Sequence, residues 1–476
     1  MRSGWLTGVT YTQPVLAARR RLLLDDAVVA VVALLVVLVA CGSSSLATAS
    51  RIGGPGRWVA LFALLAVSAA LVVRDRPSVV RPSWFVVAAG LFAGLAFVST
   101  SWSVAPRLTL ERAGSFAVLL LAAALLGLAT ARNAALSRRL VVALVAAATT
   151  LALGGIVVYI GWPHLAVQGS TLTSGARFRG FGQNPNTLSM LYAVAIPAAV
   201  WLAVTARARS RQAVLAAAAL LLLGSISASG SRGALVGVIP AVVLVVAATL
   251  RGRALLLGLA VTAVAVAVAV VGTTAAKPDR SPAPTPAEPA SAVTAPAPTT
   301  DATELRRLST PAPVLSSDPN ELGRPRPGLT GGSYRRTLFG SSGRAQAWDG
   351  ALRQSLQRPL LGYGFGTEER VFIDRFYVFE GTRIENSYIG LWLQVGLAGL
   401  LAFLVAVAFL LVRFVRALRS MAGERGVFIA CGGIVVSGFL MAVAQSYIYS
   451  VGNVATATVW IAAFMLGTTA SEAGRR

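Results

Sequence analysis

Long apolar runs separated by short polar connections make up most of the chain. Most of these runs reach or approach the roughly 18 residues that a helix needs to cross a hydrocarbon core. The pattern predicts an all-α, polytopic membrane protein of about twelve transmembrane helices. The predicted helices lie near 27–47, 57–73, 84–101, 113–131, 140–161, 186–205, 212–229, 233–250 and 254–272, and then near 387–412, 426–445 and 451–469.

The arginines sort onto alternate connections. One set, which holds 21 arginines, comprises the N-terminal tail 1–26, 74–83, 132–139, 206–211, 251–253, 413–425 and the C-terminal tail 470–476. The short connections of the other set carry only Arg51, Arg57, Arg107, Arg112, Arg177, Arg179 and Arg232. Because positive residues concentrate on the cytoplasmic side, the first set and both termini are predicted to be cytoplasmic.

The long connection between the ninth and tenth predicted helices, 273–386, belongs to the outer set. Residues 278–327 hold 12 of the 22 prolines, so 273–330 is predicted to be disordered. Residues 331–386 are predicted to be ordered, with an amphipathic helix marked by Ala345, Trp348, Leu352 and Leu356. A small packed loop domain is an equally good interpretation of this second part.

Composition narrows the chemistry. The hydrophobic fraction is 56% and the net charge is +24, but the arginines flank apolar runs, which indicates membrane topology and argues against nucleic-acid binding. Two cysteines, Cys41 and Cys431, and one histidine, His164, cannot build a disulfide framework or a multi-histidine metal site. Residues 38–41 match a lipoprotein cleavage pattern, yet the length of the apolar run predicts a retained first helix.

Four arginines on the predicted outer side are candidate anion ligands: Arg177, Arg179, Arg232 and Arg344. Guanidinium groups bind phosphate through paired hydrogen bonds. Arg232 lies between Gly230 and Gly233 at the start of a helix, and a helix N-terminus favours an anion. If they converge, these arginines would form a phosphate or pyrophosphate site. The alternative for each is an anchor that reaches toward lipid headgroups.

Glu385 is the candidate general base. It directly precedes Asn386 at the mouth of the tenth predicted helix, where a carboxylate could take a proton from an acceptor hydroxyl. The alternative is an acidic residue that complements the helix dipole. The nearby alternatives to Glu385 are Glu368, Glu369, Asp374 and Glu380, which are expected to be solvated loop charges.

Several short patterns, taken in order, resemble the O-antigen ligase and polymerase superfamily of bacterial membrane glycosyltransferases. The resemblance extends from about Ser99 to Gly399. It is carried by Ser101–Pro106, Gly180–Asn186, Ser229–Gly233, Arg344 with Trp348, Pro359–Gly364, and Asn386 followed by Gly396–Gly399.

The resemblance implies transfer of a glycan from a polyprenyl-pyrophosphate carrier to an acceptor hydroxyl at the outer face of the cytoplasmic membrane. It implies no metal and no other cofactor, and its partners are a lipid-linked glycan donor, a glycan or lipid-glycan acceptor, and membrane lipids. Glu385 and Arg232 would be catalytic, and the substrate-binding residues would be Arg177, Arg179, Arg344, Asn186, Asn386 and Trp348. Many ligases carry a histidine where this chain has Glu385, which leaves open the acceptor and the choice between ligase and polymerase.

Two other classes of function remain open from the sequence. A transporter or flippase for a lipid-linked glycan or another anion would also use outer arginines, but the chain has no clear internal repeat and few charges within its helices. A non-catalytic scaffold of an envelope-assembly complex would use the outer loop as its contact surface.

Overall fold

The computed structural model describes residues 13–75, 83–131, 133–169, 176–274, 344–372, 383–419 and 425–468. The predicted disordered segment 273–330, apart from its first two residues, lies outside the described residues, as do 331–343 and the predicted loop charges Asp374 and Glu380. The long helices are α1 (Gln13–Gly42), α2 (Ala47–Asp75), α3 (Trp84–Val98), α4 (Pro106–Thr130), α5 (Ala134–Gly161), α7 (Pro185–Thr205), α8 (Arg209–Ser229), α9 (Arg232–Thr249), α10 (Gly252–Thr274) and α13 (Ser387–Arg419). The shorter elements are α6 (Pro163–Ala166), β1 (Val167–Gln168), β2 (Arg177–Phe178), α11 (Arg344–Ser355), α12 (Glu368–Val371), α14 (Arg425–Met441) and α15 (Thr456–Gly467).

Ten helices within the described residues are long and apolar enough to cross a membrane: α1 to α5, α7 to α10, and α13. Two shorter apolar helices, α14 and α15, occupy the positions of the last two predicted runs. The only strands in the described part of the chain are β1 and β2, which pair antiparallel over two residues each. The prediction of an all-α, polytopic architecture is therefore confirmed.

Two helix starts differ most from the predictions. Helix α1 begins at Gln13, inside the predicted N-terminal tail, and α2 begins ten residues early, so that Arg51 and Arg57 lie in a helix and not in a connection. The glycines near the start of α2 serve helix packing. A Cβ on Gly53 would lie 2.1 Å from the backbone nitrogen of Gly42, so α1 and α2 approach more closely than larger residues permit.

The arginine-rich connections gather at one end of the helix bundle. Arg74 donates to Asp25 at 3.0 Å, and Arg139 forms an ion pair with Asp26, so the last turn of α2 and the first turns of α5 are joined to α1 at residues 25–26. We call the other end, where α1 connects to α2 and β2 connects to α7, the site end. Hydrogen bonds between distant parts of the chain join it. There, the Ser45 N–H donates to the Phe181 carbonyl at 2.9 Å.

An aromatic cluster in the core anchors the loop between α11 and α12. Phe365, from this loop, is fully buried and lies 5.6 Å from Phe116 of α4 and 6.3 Å from Phe92 of α3, measured between ring centroids. Phe403 of α13 lies 5.5 Å from Phe92 in an edge-on arrangement. Trp460 of α15 completes the cluster at 5.6 Å from Phe116. The loop is therefore held by the membrane-spanning helices themselves.

Helix α13 is broken at Gly396, whose φ of 65° and ψ of −172° lie outside the helical region. The break leaves the carbonyls of Leu393 and Gln394 without their usual partners four residues later. The Tyr363 N–H donates to the Leu393 carbonyl at 3.1 Å, and the Gly364 N–H donates to the Gln394 carbonyl at 2.7 Å. Loop backbone thus replaces helix backbone on the acceptor side of the break.

The donor side of the break is replaced in the same way. The Leu397 N–H donates to the Pro359 carbonyl at 2.8 Å, and the Ala398 N–H donates to the Leu360 carbonyl at 3.2 Å. The approach is so close that a Cβ on Gly396 would lie 2.1 Å from the Leu360 oxygen. Segment 359–364 is therefore inserted into α13, and only glycine fits at the point of insertion.

Replacing Gly396 with alanine is expected to destabilise the protein by more than the 1–2 kcal/mol, roughly, of a left-handed backbone, because the new methyl also meets the Leu360 carbonyl. The measurement is thermal unfolding of the full-length protein in detergent. The matched control is Gly94→Ala in α3, where a Cβ meets no atom within 4 Å. Equal unfolding temperatures for the two variants would contradict the insertion.

Candidate functional site

Helix α11, which begins at Arg344, coincides with the helix predicted for the outer loop, but its buried face differs from the predicted one. Ala347, Ala351 and Ser355 are buried, whereas Ala345 and Leu356 are exposed. The buried face differs from the predicted one because α11 packs closely on aromatic and aliphatic side chains of the loop and of α13. Small residues of α11 fit at this contact. Helix α11 thus packs both on the following loop and on α13.

Trp348 reaches from α11 to the backbone beside Glu385. Its indole Nε1 donates to the Ile384 carbonyl at 3.0 Å, and the Ile384 side chain is fully buried. This contact gives Trp348 a role in holding the 383–386 segment in place. The substrate contact predicted for Trp348 remains a prediction.

Glu385 has a conformation that is unusual for a carboxylate residue. Its φ is +57°, the only positive φ of a non-glycine residue in the described part of the chain. Its Oε2 atom is buried without a hydrogen-bond partner there, and Arg344 Nη2 lies 3.9 Å away. Burial raises the pKa of Glu385, although the nearby positive charge of Arg344 opposes the shift. A strained, half-buried carboxylate with an unused oxygen is typical of a reactive site.

Three of the four predicted arginines are brought to the same region of the site end. Arg344 pairs with Glu385, and Arg232 lies close enough to Arg344 for their charges to repel each other. Arg177 donates through Nε to the Ser229 carbonyl at 2.7 Å, three residues before Arg232. These contacts bring the three arginines near one another, and the binding of an anion by them stays a prediction.

The remaining predicted ligands are held by local contacts. Arg177 Nη2 donates to Asn186 Oδ1 at 3.1 Å, so Asn186 orients this arginine. Arg179 Nε donates to the Leu165 carbonyl at 3.0 Å, which directs this side chain toward α6. Asn386 caps α13, because its Oδ1 accepts from the N–H groups of the residues two and three positions later, at 2.9 and 3.1 Å. Substrate contacts of Arg179 and Asn386 stay predictions.

Glu368 was expected to be a solvated loop charge, and that interpretation is wrong. The residue is 3% exposed, and its Oε1 accepts from the Ile384 N–H at 2.8 Å and from Ser446 Oγ at 2.9 Å. Its Oε2 accepts from the Tyr449 hydroxyl. Burial raises the pKa of Glu368, and these three donors counteract that effect. The apolar residues around it, Phe365 and 371–372, were the available signal in the sequence.

Glu369 was also expected to be solvated, but it forms ion pairs. Its carboxylate lies 2.9 Å from Arg112 Nη2 of α4 and 2.7 Å from Arg383 Nη2. Burial alone would raise the pKa of Glu369, yet the two arginines lower it below its ordinary value. Arg112 also donates to the Gly366 carbonyl at 2.8 Å. Together, Glu368 and Glu369 tie the segment that carries Glu385 to the helix bundle.

The site therefore belongs to a polytopic helical protein that gathers arginines and a strained carboxylate at one end of its bundle. A family model described as O-antigen ligase matches residues 217–404, which include Arg232, Arg344 and Glu385. This match supports the resemblance to the O-antigen ligase and polymerase superfamily that the motifs indicated. A search of curated proteins found no match. Among the described residues, no three histidine, cysteine or acidic side chains gather as a metal site.

Glu368→Gln is expected to destabilise the protein by about 1–3 kcal/mol, because one amide oxygen cannot accept from three buried donors. The measurement is the thermal unfolding temperature in detergent. The control is Asp349→Asn, which removes only an exposed ion pair with Arg353 within α11. If Glu368→Gln unfolds at the same temperature as the control, the three hydrogen bonds do not hold the site.

Proposed function

We propose that this protein transfers a glycan from a polyprenyl-pyrophosphate donor to an acceptor hydroxyl during synthesis of an envelope polysaccharide. The observation that carries the proposal is the grouping of Arg344, Glu385, Arg232 and Arg177 at one end of an O-antigen ligase-like bundle. The site end faces outward across the cytoplasmic membrane, since the opposite end carries the arginine-rich connections.

The arginines stabilise the leaving group. In the transfer step, the bond from the anomeric carbon of the glycan to the pyrophosphate oxygen breaks, and its electron pair remains on the pyrophosphate. Arg232, Arg177 and Arg344 supply positive charge where this negative charge develops. The pyrophosphate ester is itself the activated group, so the step needs no further energy source.

Glu385 acts as the general base. It takes the proton from the acceptor hydroxyl as the oxygen forms its new bond to the anomeric carbon. Because burial raises its pKa, Glu385 is a stronger base than a solvated carboxylate would be. Once protonated, Glu385 no longer balances the charge of Arg344, 3.9 Å away. The negative charge growing on the pyrophosphate then takes its place.

Arg232→Ala is expected to lower the release of polyprenyl pyrophosphate by about 10²–10³-fold, because it removes a charge from the leaving-group site. The assay uses purified full-length protein in detergent with a lipid-pyrophosphate glycan and an acceptor glycan. The control is Arg107→Ala, which changes an exposed arginine at the start of α4. Full activity of Arg232→Ala would contradict its role, and a wild-type protein that releases no carrier would favour a transporter or a scaffold.

Glu385→Gln is expected to lower turnover by about 10²–10⁴-fold, because an amide cannot take up the proton. In the wild type, activity should rise with pH as Glu385 loses its proton, at a pH above the ordinary range for a carboxylate. Compared with Glu385→Gln, Glu385→His should restore part of the activity. Its activity should rise with pH around the ordinary histidine pKa of about 6.5. Unchanged turnover in Glu385→Gln would reduce Glu385 to a charge at a helix end.

A further inference from the structure

Two buried polar atoms beside Arg232 lack hydrogen-bond partners in the described part of the chain. They are Oγ of Ser231, which is 2% exposed, and Nε2 of Gln445, which is 4% exposed. An unsatisfied buried polar group costs about 1–3 kcal/mol, so such groups are rare and call for an explanation. Their position at the candidate site indicates that a ligand supplies the missing partners.

Both atoms lie at the N-terminus of α9. Ser231 occupies the N-cap position of this 18-residue helix, but its side chain makes no capping hydrogen bond. Gln445 lies against the first turn, since a Cβ on Gly233 would be 3.3 Å from Gln445 Nε2. The first N–H groups of a helix have no partner within the helix and carry partial positive charge. The environment next to Arg232 is therefore rich in hydrogen-bond donors.

Gln445 also connects α9 to the segment that carries Glu385. The backbone carbonyl of Gln445 accepts from Ser387 Oγ at 2.7 Å, and the Asn386 N–H donates to Ser446 Oγ at 3.1 Å. The same short segment, 445–446, thus contacts the start of α9 on one side and the start of α13 on the other. A group bound at Gln445 would lie between the leaving-group arginines and the base.

We propose that Ser231 and Gln445 bind a phosphate group of the donor, with the Ser231 hydroxyl and the Gln445 amide both donating to phosphate oxygens at the N-terminus of α9. This inference rests on the proposed function and adds two residues to its donor site. The unsatisfied nitrogen of Gln445 can only donate, so its partner is an acceptor such as a phosphate oxygen. Arg232 supplies the charge, and the two neutral donors determine where the oxygens lie.

Because Ser231 Oγ and Gln445 Nε2 have no hydrogen-bond partner within the described residues, variants of these two residues test ligand binding separately from the stability of the free protein. Ser231→Ala and Gln445→Leu remove groups that make no hydrogen bond within the described residues, so the free protein should be as stable as the wild type or more stable. Ser437 provides a matched control on α14. It is fully buried like Ser231, but its Oγ donates to the Ala193 carbonyl at 2.8 Å, so Ser437→Ala loses a bond.

The experiment measures thermal unfolding of full-length wild type and variants in detergent, alone and with increasing inorganic pyrophosphate, farnesyl pyrophosphate or phosphatidylglycerol. Ser231→Ala and Gln445→Leu are expected to keep the unfolding temperature of the free protein and to weaken farnesyl-pyrophosphate binding about tenfold each. Gln445→Glu should weaken binding further, because it places a negative charge beside the phosphate. Ser437→Ala should unfold at a lower temperature and bind normally.

Three results would overturn the inference. If Arg232→Ala loses binding while Ser231→Ala and Gln445→Leu bind normally, these two residues are not phosphate ligands, and the proposed function stands. If phosphatidylglycerol stabilises the wild type as strongly as farnesyl pyrophosphate, the donors serve lipid headgroups. If neither pyrophosphate compound stabilises the wild type, the inference and the donor assigned in the proposed function both fail.

Discussion

The exchange of backbone hydrogen bonds at the break in α13 is the constraint on which the site depends. Four bonds link segment 359–364 to residues 393–398, and together they satisfy the four backbone groups that two bonds would pair in an unbroken helix. This insertion fixes the position of the loop, so Phe365 packs in the aromatic core and Glu368 accepts a hydrogen bond from the Ile384 N–H. With the loop fixed, α11 packs on it and brings Arg344 to Glu385. Because these four bonds join backbone groups, they do not depend on which side chains surround the site.

Two carboxylates close together in the chain have opposite roles because their hydrogen bonding differs. Glu368 is fully satisfied by three donors, and it joins the backbone of Ile384 to Ser446 and Tyr449. Glu385 is strained and has an unused buried oxygen. The strain persists because both flanking residues are held. Ile384 is bonded to Glu368 and Trp348, and Asn386 is bonded to Ser446. The structural carboxylate thus holds Glu385, the proposed base, in a conformation that it would not adopt alone.

The sequence predicted what depends on local pattern and missed what depends on distant contacts. Apolar runs located all the long helices, and the sorting of arginines agrees with their grouping at one end. The start of α2 was missed where its glycines pack against α1. The burial of Glu368 was missed because its partners lie 16 to 81 residues away along the chain. Pro359–Gly364 and Gly396–Gly399 were recognised as separate motifs, yet the structure makes them two sides of one insertion.

Hydrogen-bond donors lie on one side of the candidate site and an acceptor lies on the other. This arrangement helps to distinguish a transferase from a transporter or a scaffold. The α9 side presents Arg232, the Ser231 hydroxyl and the Gln445 amide, which suit a phosphate that is already charged and becomes more so as it leaves. The α13 side presents Glu385, whose Oε2 atom accepts no hydrogen bond within the described residues and so suits a hydroxyl that must lose a proton. A transporter that releases its cargo unchanged needs only the first half, and a scaffold needs neither. The proposed transfer requires both halves to lie near one carbon, since the acceptor oxygen forms its bond to the anomeric carbon and the pyrophosphate oxygen departs from that carbon. Segment 445–446 contacts the start of α9 and the start of α13, and so it connects the two halves.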